Sequence, residues 1–352
     1  MSSGDRIYSA ILYIFRDLMP AIQDSSVTDI HCNSDGQVWV KARGVMTRLP
    51  ITLSHTEREL ALNYVAQHAG LLCNAQQPSL QCNVPGLNLR FQGTLPPLSE
   101  GPTFDLRRFS DTVMALEAYV QDGIMSAQQA AQLEWIIAHR KSLLIVGATG
   151  SGKTTLVNTL LTLPCIQDDR VLIIEDTPEI QRSIPNSDSL YAKLHVNVRQ
   201  AVEVALRKNP DRIIVGEVRS GEMALAMLDA GNTGHPGWIS TIHADSALKG
   251  LHKLDQLTQR VTQASQCDFI ASNVDFVAFM QAHGVTRRLV ELVRVCGYHG
   301  GNFHVAHYDR TIDEGHLGTF GTPYRVITGV SASHADGGCG TRWDLAGIIE
   351  SD

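Results

Sequence analysis

Gly147-Ala148-Thr149-Gly150-Ser151-Gly152-Lys153-Thr154 satisfies the pattern G-x-x-x-x-G-K-[ST] without a mismatch, between an apolar run at 143–146 and a helical run at 155–161. Strand, glycine-rich turn and helix in that order are what the pattern needs to bind phosphate. The glycines let backbone N–H groups turn inward around an anion, and Lys153 reaches the terminal phosphates. The Thr154 hydroxyl can ligate Mg²⁺, and the helix that begins at Thr155 adds its dipole. A chance turn has no use for Lys153 and Thr154 together, so residues 147–155 are expected to hold a nucleoside triphosphate.

Outward from this turn, strand and helix alternate, which predicts a parallel sheet covered by helices. Residues 171–174 and 212–215 are continuous apolar runs of the kind buried central strands show. The first ends in Glu175-Asp176, the second in Gly216-Glu217, and a third run at 238–242 ends in His243-Ala244-Asp245. Ligands gather at the carboxyl ends of parallel strands, so these groups are expected to converge on the phosphates. Taken singly, each has a plainer reading. Glu175 and Asp176 can be loop or capping acids, Glu217 a structural partner of Arg219, and His243 a hydrogen-bonded surface group. Their joint placement beside a phosphate loop favours chemistry.

The first hundred residues have a different texture. Residues 7–19 read as an amphipathic helix, too short for a membrane span. Short strands at 27–31 and 38–41 flank a turn, 54–68 has helical spacing behind a Ser/Thr cap, and strands follow at 80–83 and 87–92. The Pro/Gly-rich loop at 96–102 then leads into a strand at 103–107. This is a small α+β unit. The 352-residue length suits two domains. A formal charge of −7 gives no global attraction to nucleic acid or anionic lipid. Seven cysteines form no C-x-x-C pair, which predicts reduced thiols in a cytosol rather than a disulfide framework or zinc site.

Beyond the phosphate loop, Ile174-Glu175-Asp176-Thr177-Pro178-Glu179 resembles the Asp box of the secretion and pilus traffic ATPases. Ile213-Ile214-Val215-Gly216-Glu217-Val218-Arg219 resembles their atypical Walker B, and Ser240-Thr241-Ile242-His243-Ala244-Asp245 their His box. Within that superfamily, Leu89-Arg90-Phe91-Gln92-Gly93, Leu95-Pro96-Pro97, Thr103-Phe104-Asp105-Leu106-Arg107-Arg108, Asn209-Pro210-Asp211-Arg212 and Gly231-Asn232-Thr233-Gly234-His235-Pro236-Gly237 are most similar to the TrbB-type ATPases of conjugative type IV secretion. The resemblance runs over roughly residues 25–295. It departs at Asp245, where the family usually carries Asn.

The resemblance implies an α/β chain: a RecA-like P-loop ATPase domain at 109–310 behind a smaller α+β, PAS-like N-terminal domain and linker at 1–108. Residues 311–352, poor in apolar side chains, are expected to form a loosely ordered tail. It further implies ATP and Mg²⁺ as ligands and a cytoplasmic homo-hexamer working with inner-membrane components of a secretion apparatus, with peripheral membrane association left open. The nucleotide would lie on Gly147, Ala148, Thr149, Gly150, Ser151, Gly152, Lys153, Thr154 and Thr155. The metal would fall to Thr154 with Asp176 or Glu175, because Gly216 stands where an ordinary Walker B has a metal-binding Asp. Catalysis would fall to Lys153, Glu175, Glu217 and His243, with either glutamate orienting the water, and to Arg90 with Arg107 or Arg108 for the γ-phosphate charge. Strand-edge arginines that keep a sheet soluble are the alternative for those three.

A RecA-like nucleic-acid translocase or helicase would share this core but should carry a basic, aromatic-interleaved stripe. With aromatics at 6% and a negative net charge, the sequence favours the motor that the resemblance implies, one coupling ATP hydrolysis to pilus assembly or substrate transfer in conjugative type IV secretion, with no sequence-specific nucleic-acid partner.

Overall fold

A computed structural model of the chain describes residues 3–84, 86–109, 113–192, 196–284, 286–308 and 324–327. The N-terminal part comprises helices α1 (Ser3–Ile14) and α2 (Met19–Gln23), strands β1 (Val27–Cys32), β2 (Gln37–Ala42) and β3 (Val45–Thr52), helix α3 (His55–Ala69), and strands β4 (Ser79–Val84), β5 (Leu89–Thr94) and β6 (Thr103–Arg108). The strands form a six-stranded sheet in the order β3-β2-β1-β6-β5-β4, antiparallel at every pairing. Strand alternation puts Ile30, Cys32, Leu80, Cys82, Phe91, Phe104 and Leu106 into one core with Ile11 and Phe15, and with Leu62 and Val65 of α3. Helix α3 starts where the sequence predicts. Ser54 accepts from the Glu57 N–H while the Glu57 carboxylate accepts from the Ser54 N–H, and Gly70 closes the helix in the left-handed region at φ +65°.

The second part contains α4 (Leu116–Gln121), α5 (Ala127–Ala138), β7 (Leu143–Gly147), α6 (Lys153–Leu160), β8 (Val171–Glu175), β9 (Ser187–Tyr191), α7 (Val198–Arg207), β10 (Arg212–Val215), α8 (Gly221–Asn232), β11 (Ile239–Ile242), α9 (Ala247–Thr262) and α10 (Cys267–Asn273). Strands β12 (Phe276–His283), β13 (Thr286–His299), β14 (Asn302–Tyr308) and β15 (Tyr324–Ile327) complete it. One nine-stranded sheet runs β15-β14-β13-β12-β7-β11-β10-β8-β9. Strands β12, β7, β11, β10, β8 and β9 are parallel, and β13 to β15 add on antiparallel.

Residues 143–147, 171–175, 212–215 and 239–242 are buried throughout because helices cover both faces. Leu144 and Val146 point into the core shared with α7 to α10, while Leu143 and Ile145 point into the one shared with α4 to α6. The sheet is therefore held rigid from both sides, and its carboxyl edge is a fixed platform for side chains.

Strand β9 and helix α7 carry no element in the sequence reading above. Strand β9 is half-exposed along its length; helix α7 did carry a signal, since Asn197 and Gln200 make a capping box. Of residues 311–352, the four of β15 pair with β14; the rest of the expected tail lies outside the described residues.

Candidate active site at the carboxyl edge of the parallel sheet

The phosphate loop crosses from buried β7 into α6, with Gly150 at φ +73° and Gly152 at φ +93°, values that only glycine adopts without strain. Lys153 turns back over the loop, its Nζ donating to the carbonyls of Gly147 and Ala148 at 2.9 Å each. Burial pulls its ammonium down to about 8, against the pull of Glu217 and Glu179. Arg107 and Arg219 lie close enough to push in the same direction as burial.

The three strand ends meet beside this lysine. His243, after β11, has Nδ1 3.1 Å from both the Gly147 carbonyl and Lys153 Nζ, and its Nε2 is 2.8 Å from Glu217 Oε1. Arg219 donates to Glu217 Oε2 at 2.6 Å and to Asp176 Oδ2 at 2.5 Å. One chain of charge thus runs Lys153, His243, Glu217, Arg219, Asp176. The plainer pairing of Glu217 with Arg219 exists as well, inside the site.

Glu175, at the end of β8, is almost wholly buried. Its Oε1 accepts from the N–H groups of Glu179 and Ile180 at 2.9 Å, and its Oε2 is buried without a hydrogen-bond partner. Burial pushes the carboxyl up to about 7, against the pull of those two N–H groups. A Cβ on Gly216 would stand 3.0 Å from Glu175 Cγ, so this Walker B position has little room for an aspartate. Thr154, Glu175, Asp176, Glu179, Glu217 and Arg219 border one small open cleft.

The N-terminal arginines separate. Arg90 on β5 pairs with Glu179 of the Asp box. Arg107 is half-exposed, 3.9 Å from Asp29, with its charge felt at Lys153. Arg108 is not brought to the site. It donates to the carbonyls of Val27 (3.0 Å), Ile22 and Asp24 (3.0 Å) and ties α2 to β1 and β6. Of the pair Arg107 or Arg108, only Arg107 leaves its charge felt at Lys153. Asp245 lies on the surface and pairs with Lys249 at 3.7 Å.

Two further residues of the site, Glu179 and the bridging Arg219, stand outside the set expected from the sequence, where Arg219 figures only as a structural partner of Glu217. Glu179 closes the quoted Asp-box hexapeptide, so a signal existed; nothing local marks Arg219 as the bridge between two strand ends. No three His, Cys, Asp or Glu among the described residues are grouped to cage a metal. Thr154 and Asp176, both bordering the cleft, are oxygen donors of the kind Mg²⁺ takes beside water and phosphate. Thr154, and Asp176 if released by Arg219, would be the groups to hold it, with the orphan oxygen of Glu175 at hand.

A phosphate loop, carboxylates at neighbouring strand ends and a histidine between them define a P-loop ATPase. The model of the family described as Type II/IV secretion system protein matches residues 74–306. Conjugal transfer protein TrbB of Rhizobium radiobacter is 34% identical over 302 residues, 85% of this chain and 93% of that protein. Among solved structures, the Legionella pneumophila ATPase DotB (TM-score 0.58, 20% identity, 80% of each chain) and the pilus retraction motor PilT with bound ADP (TM-score 0.56, 18% identity, 83% of this chain and 81% of that one) share the fold. The chain belongs to the type II/IV secretion ATPase family, and within it to the TrbB type.

The Glu175 environment sets a pH dependence. If its carboxylate form serves the reaction, kcat/KM for ATP rises as pH passes through about 7. Stability has the opposite sign. The folded state holds this proton more tightly than an unfolded chain with the ordinary value of 4.5. Its contribution is therefore full below pH 4.5 and declines toward pH 7, by at most about 1.4 kcal/mol per unit. Denaturant titrations of the parent and Glu175→Gln between pH 5 and 8 check it: the variant should lose that slope, and parallel profiles would refute the assignment.

Proposed function

We propose that the chain is a motor that couples ATP hydrolysis to pilus assembly or substrate transfer in a conjugative type IV secretion apparatus. The joining of Lys153 through His243 to Glu217, beside a cleft that Glu217 and Glu175 line and where Arg90 of the other sheet pairs with Glu179, carries this reading. In it, residues 109–310 are a RecA-like unit and residues 1–108 a smaller PAS-like α+β unit. Six copies form a ring in the cytoplasm and dock peripherally on inner-membrane components. Among the described residues no helix is long and apolar enough to cross a membrane, in keeping with peripheral docking.

Phosphoryl transfer is catalysed mainly by positioning and by neutralising charge. Lys153 leaves the loop carbonyls for the β- and γ-phosphates, and the inward N–H groups of 147–155 take the remaining oxygens. Mg²⁺ on Thr154 supplies further charge neutralisation when bound. Glu175 aligns the attacking water through its unpaired oxygen. Glu217, held between His243 and Arg219, links the phosphate loop to the Asp box. Arg90 and Arg107 meet the γ-phosphate only when the two sheets close on each other, within a subunit or across a boundary.

A fragment from Met114 onward keeps every motif from Gly147 to Asp245 but lacks these arginines. It is expected to bind ATP, hydrolyse it poorly and form rings weakly, while the full chain gains specific activity as its concentration rises. Sedimentation and turnover measured side by side check this. A monomeric fragment as active as the whole chain would exclude the arginines and the ring from the chemistry.

A further inference from the structure

The N-terminal sheet does more than carry arginines. Behind Glu175 the chain passes through 177–181, and this short stretch is gripped from two sides. On the N-terminal side, the Gln81 amide lies 2.9 Å from the Thr177 hydroxyl; with its oxygen facing inward it also accepts from the Arg90 guanidinium. Asn83 Nδ2 donates to the Pro178 carbonyl at 3.1 Å, and Arg90 pairs with Glu179. On the other side, Asn158 of α6 accepts from the Gln181 N–H at 3.0 Å and donates to the Glu179 carbonyl at 3.4 Å. Between these anchors sit the two N–H groups, of Glu179 and Ile180, that hold Glu175 Oε1.

We propose that the 177–181 stretch is a relay in which Gln81 and Asn83 of β4 act as positioning residues for the Glu175 carboxylate. The proposal rests on the reading of Glu175 as the group that aligns water. Thr177 is buried, so its hydrogen bond to the other sheet is not traded freely for water. A carboxylate held by two backbone N–H groups follows those groups, and they follow the loop. Movement of β4 relative to α6 must therefore shift Glu175, and displacement of a catalytic group by about 1 Å is enough to cost on the order of a hundredfold in rate. The same movement that brings Arg90 and Arg107 toward a nucleotide thus sets the carboxylate from behind. Phosphate binding does not need the relay, because among the described residues Gln81 and Asn83 hydrogen-bond to Thr177 and Pro178 and not to the phosphate loop or Lys153.

The test uses the full chain and ATP, with turnover at saturation and KM measured separately. The Gln81→Ala/Asn83→Ala double variant is expected to lose about tenfold in kcat while KM stays within about twofold, because it displaces the carboxylate without removing it. Glu175→Gln, measured alongside, should lose far more. A cycle of Gln81→Ala with Thr177→Val supplies a readout that general destabilisation does not move: both remove the Gln81–Thr177 contact, so Thr177→Val should add little in a chain that already carries Gln81→Ala. If the double variant does not fold, as its thermal transition would reveal, this cycle decides alone. Parental kcat in the double variant with Glu175→Gln inactive overturns the relay alone. So does a defect confined to KM, or additive losses in the cycle. Parental turnover in Glu175→Gln overturns the relay together with the reading it rests on.

Discussion

Lys153→Ala is expected to reduce ATP turnover by at least about a thousandfold, to background, because the loop has no other side-chain cation to meet the charge on the terminal phosphates. The structure adds a reason why no neighbour substitutes. Arg219 is committed to Glu217 and Asp176, Arg90 to Glu179, and His243 is wedged between Glu217 and the Gly147 carbonyl. Lys153 holds its charge on the neutral carbonyls of Gly147 and Ala148, a contact that phosphate oxygens replace at little cost, while Arg287 reaches the loop only from its exposed side, at the Gly150 carbonyl 3.3 Å away. Lys153→Arg should fare little better, since a planar guanidinium cannot enter the cradle of a compact ammonium. Steady-state hydrolysis by full-length variants with unchanged thermal transitions checks this, and turnover at the parental rate would mean that the site lies elsewhere.

The second large effect separates the two glutamates. Glu175→Gln preserves shape but removes the charge that would align or deprotonate water, and hydrolysis should fall on the order of a hundredfold or more with ATP affinity retained. Glu217→Gln should also slow hydrolysis at retained affinity. The structure orders the two. Both oxygens of Glu217 are already engaged, by His243 and Arg219, whereas Glu175 keeps one buried oxygen without a partner. We therefore expect the greater loss at Glu175. Nucleotide affinity and single-turnover rate measured for each variant decide the order; a variant with weaker binding but parental turnover at saturation has no catalytic carboxylate at that position.

The contrast between these glutamates shows where reading along the chain stops. Both were legible as acids at the ends of buried strands, because a continuous apolar run followed by a polar residue is a local pattern with a topological meaning. Their division of labour was not, since it depends on what lies across 26 residues at His243 and on two backbone N–H groups folded over Glu175. Arg107 and Arg108 are adjacent and identical in type, and strand alternation sends them apart. One is left half-exposed near Asp29 with its charge felt at Lys153, and the other pins α2 to the sheet. Edge elements such as β3 and β9 escaped the sequence reading for a related reason: with little burial on either face they need no apolar alternation.

The sequence by itself determined the phosphate loop, the parallel core and its family, because close backbone approach to an anion and burial on both faces of a sheet tolerate few residue types. Only the tertiary structure decided which arginine meets the cleft, that Arg219 links Asp176 to Glu217, and that Gln81 and Asn83 hold the loop behind Glu175. Those contacts join residues up to 96 positions apart. A hydrogen bond of this kind leaves no periodicity in the chain; it exists only once both cores have formed and set the two sheets against each other.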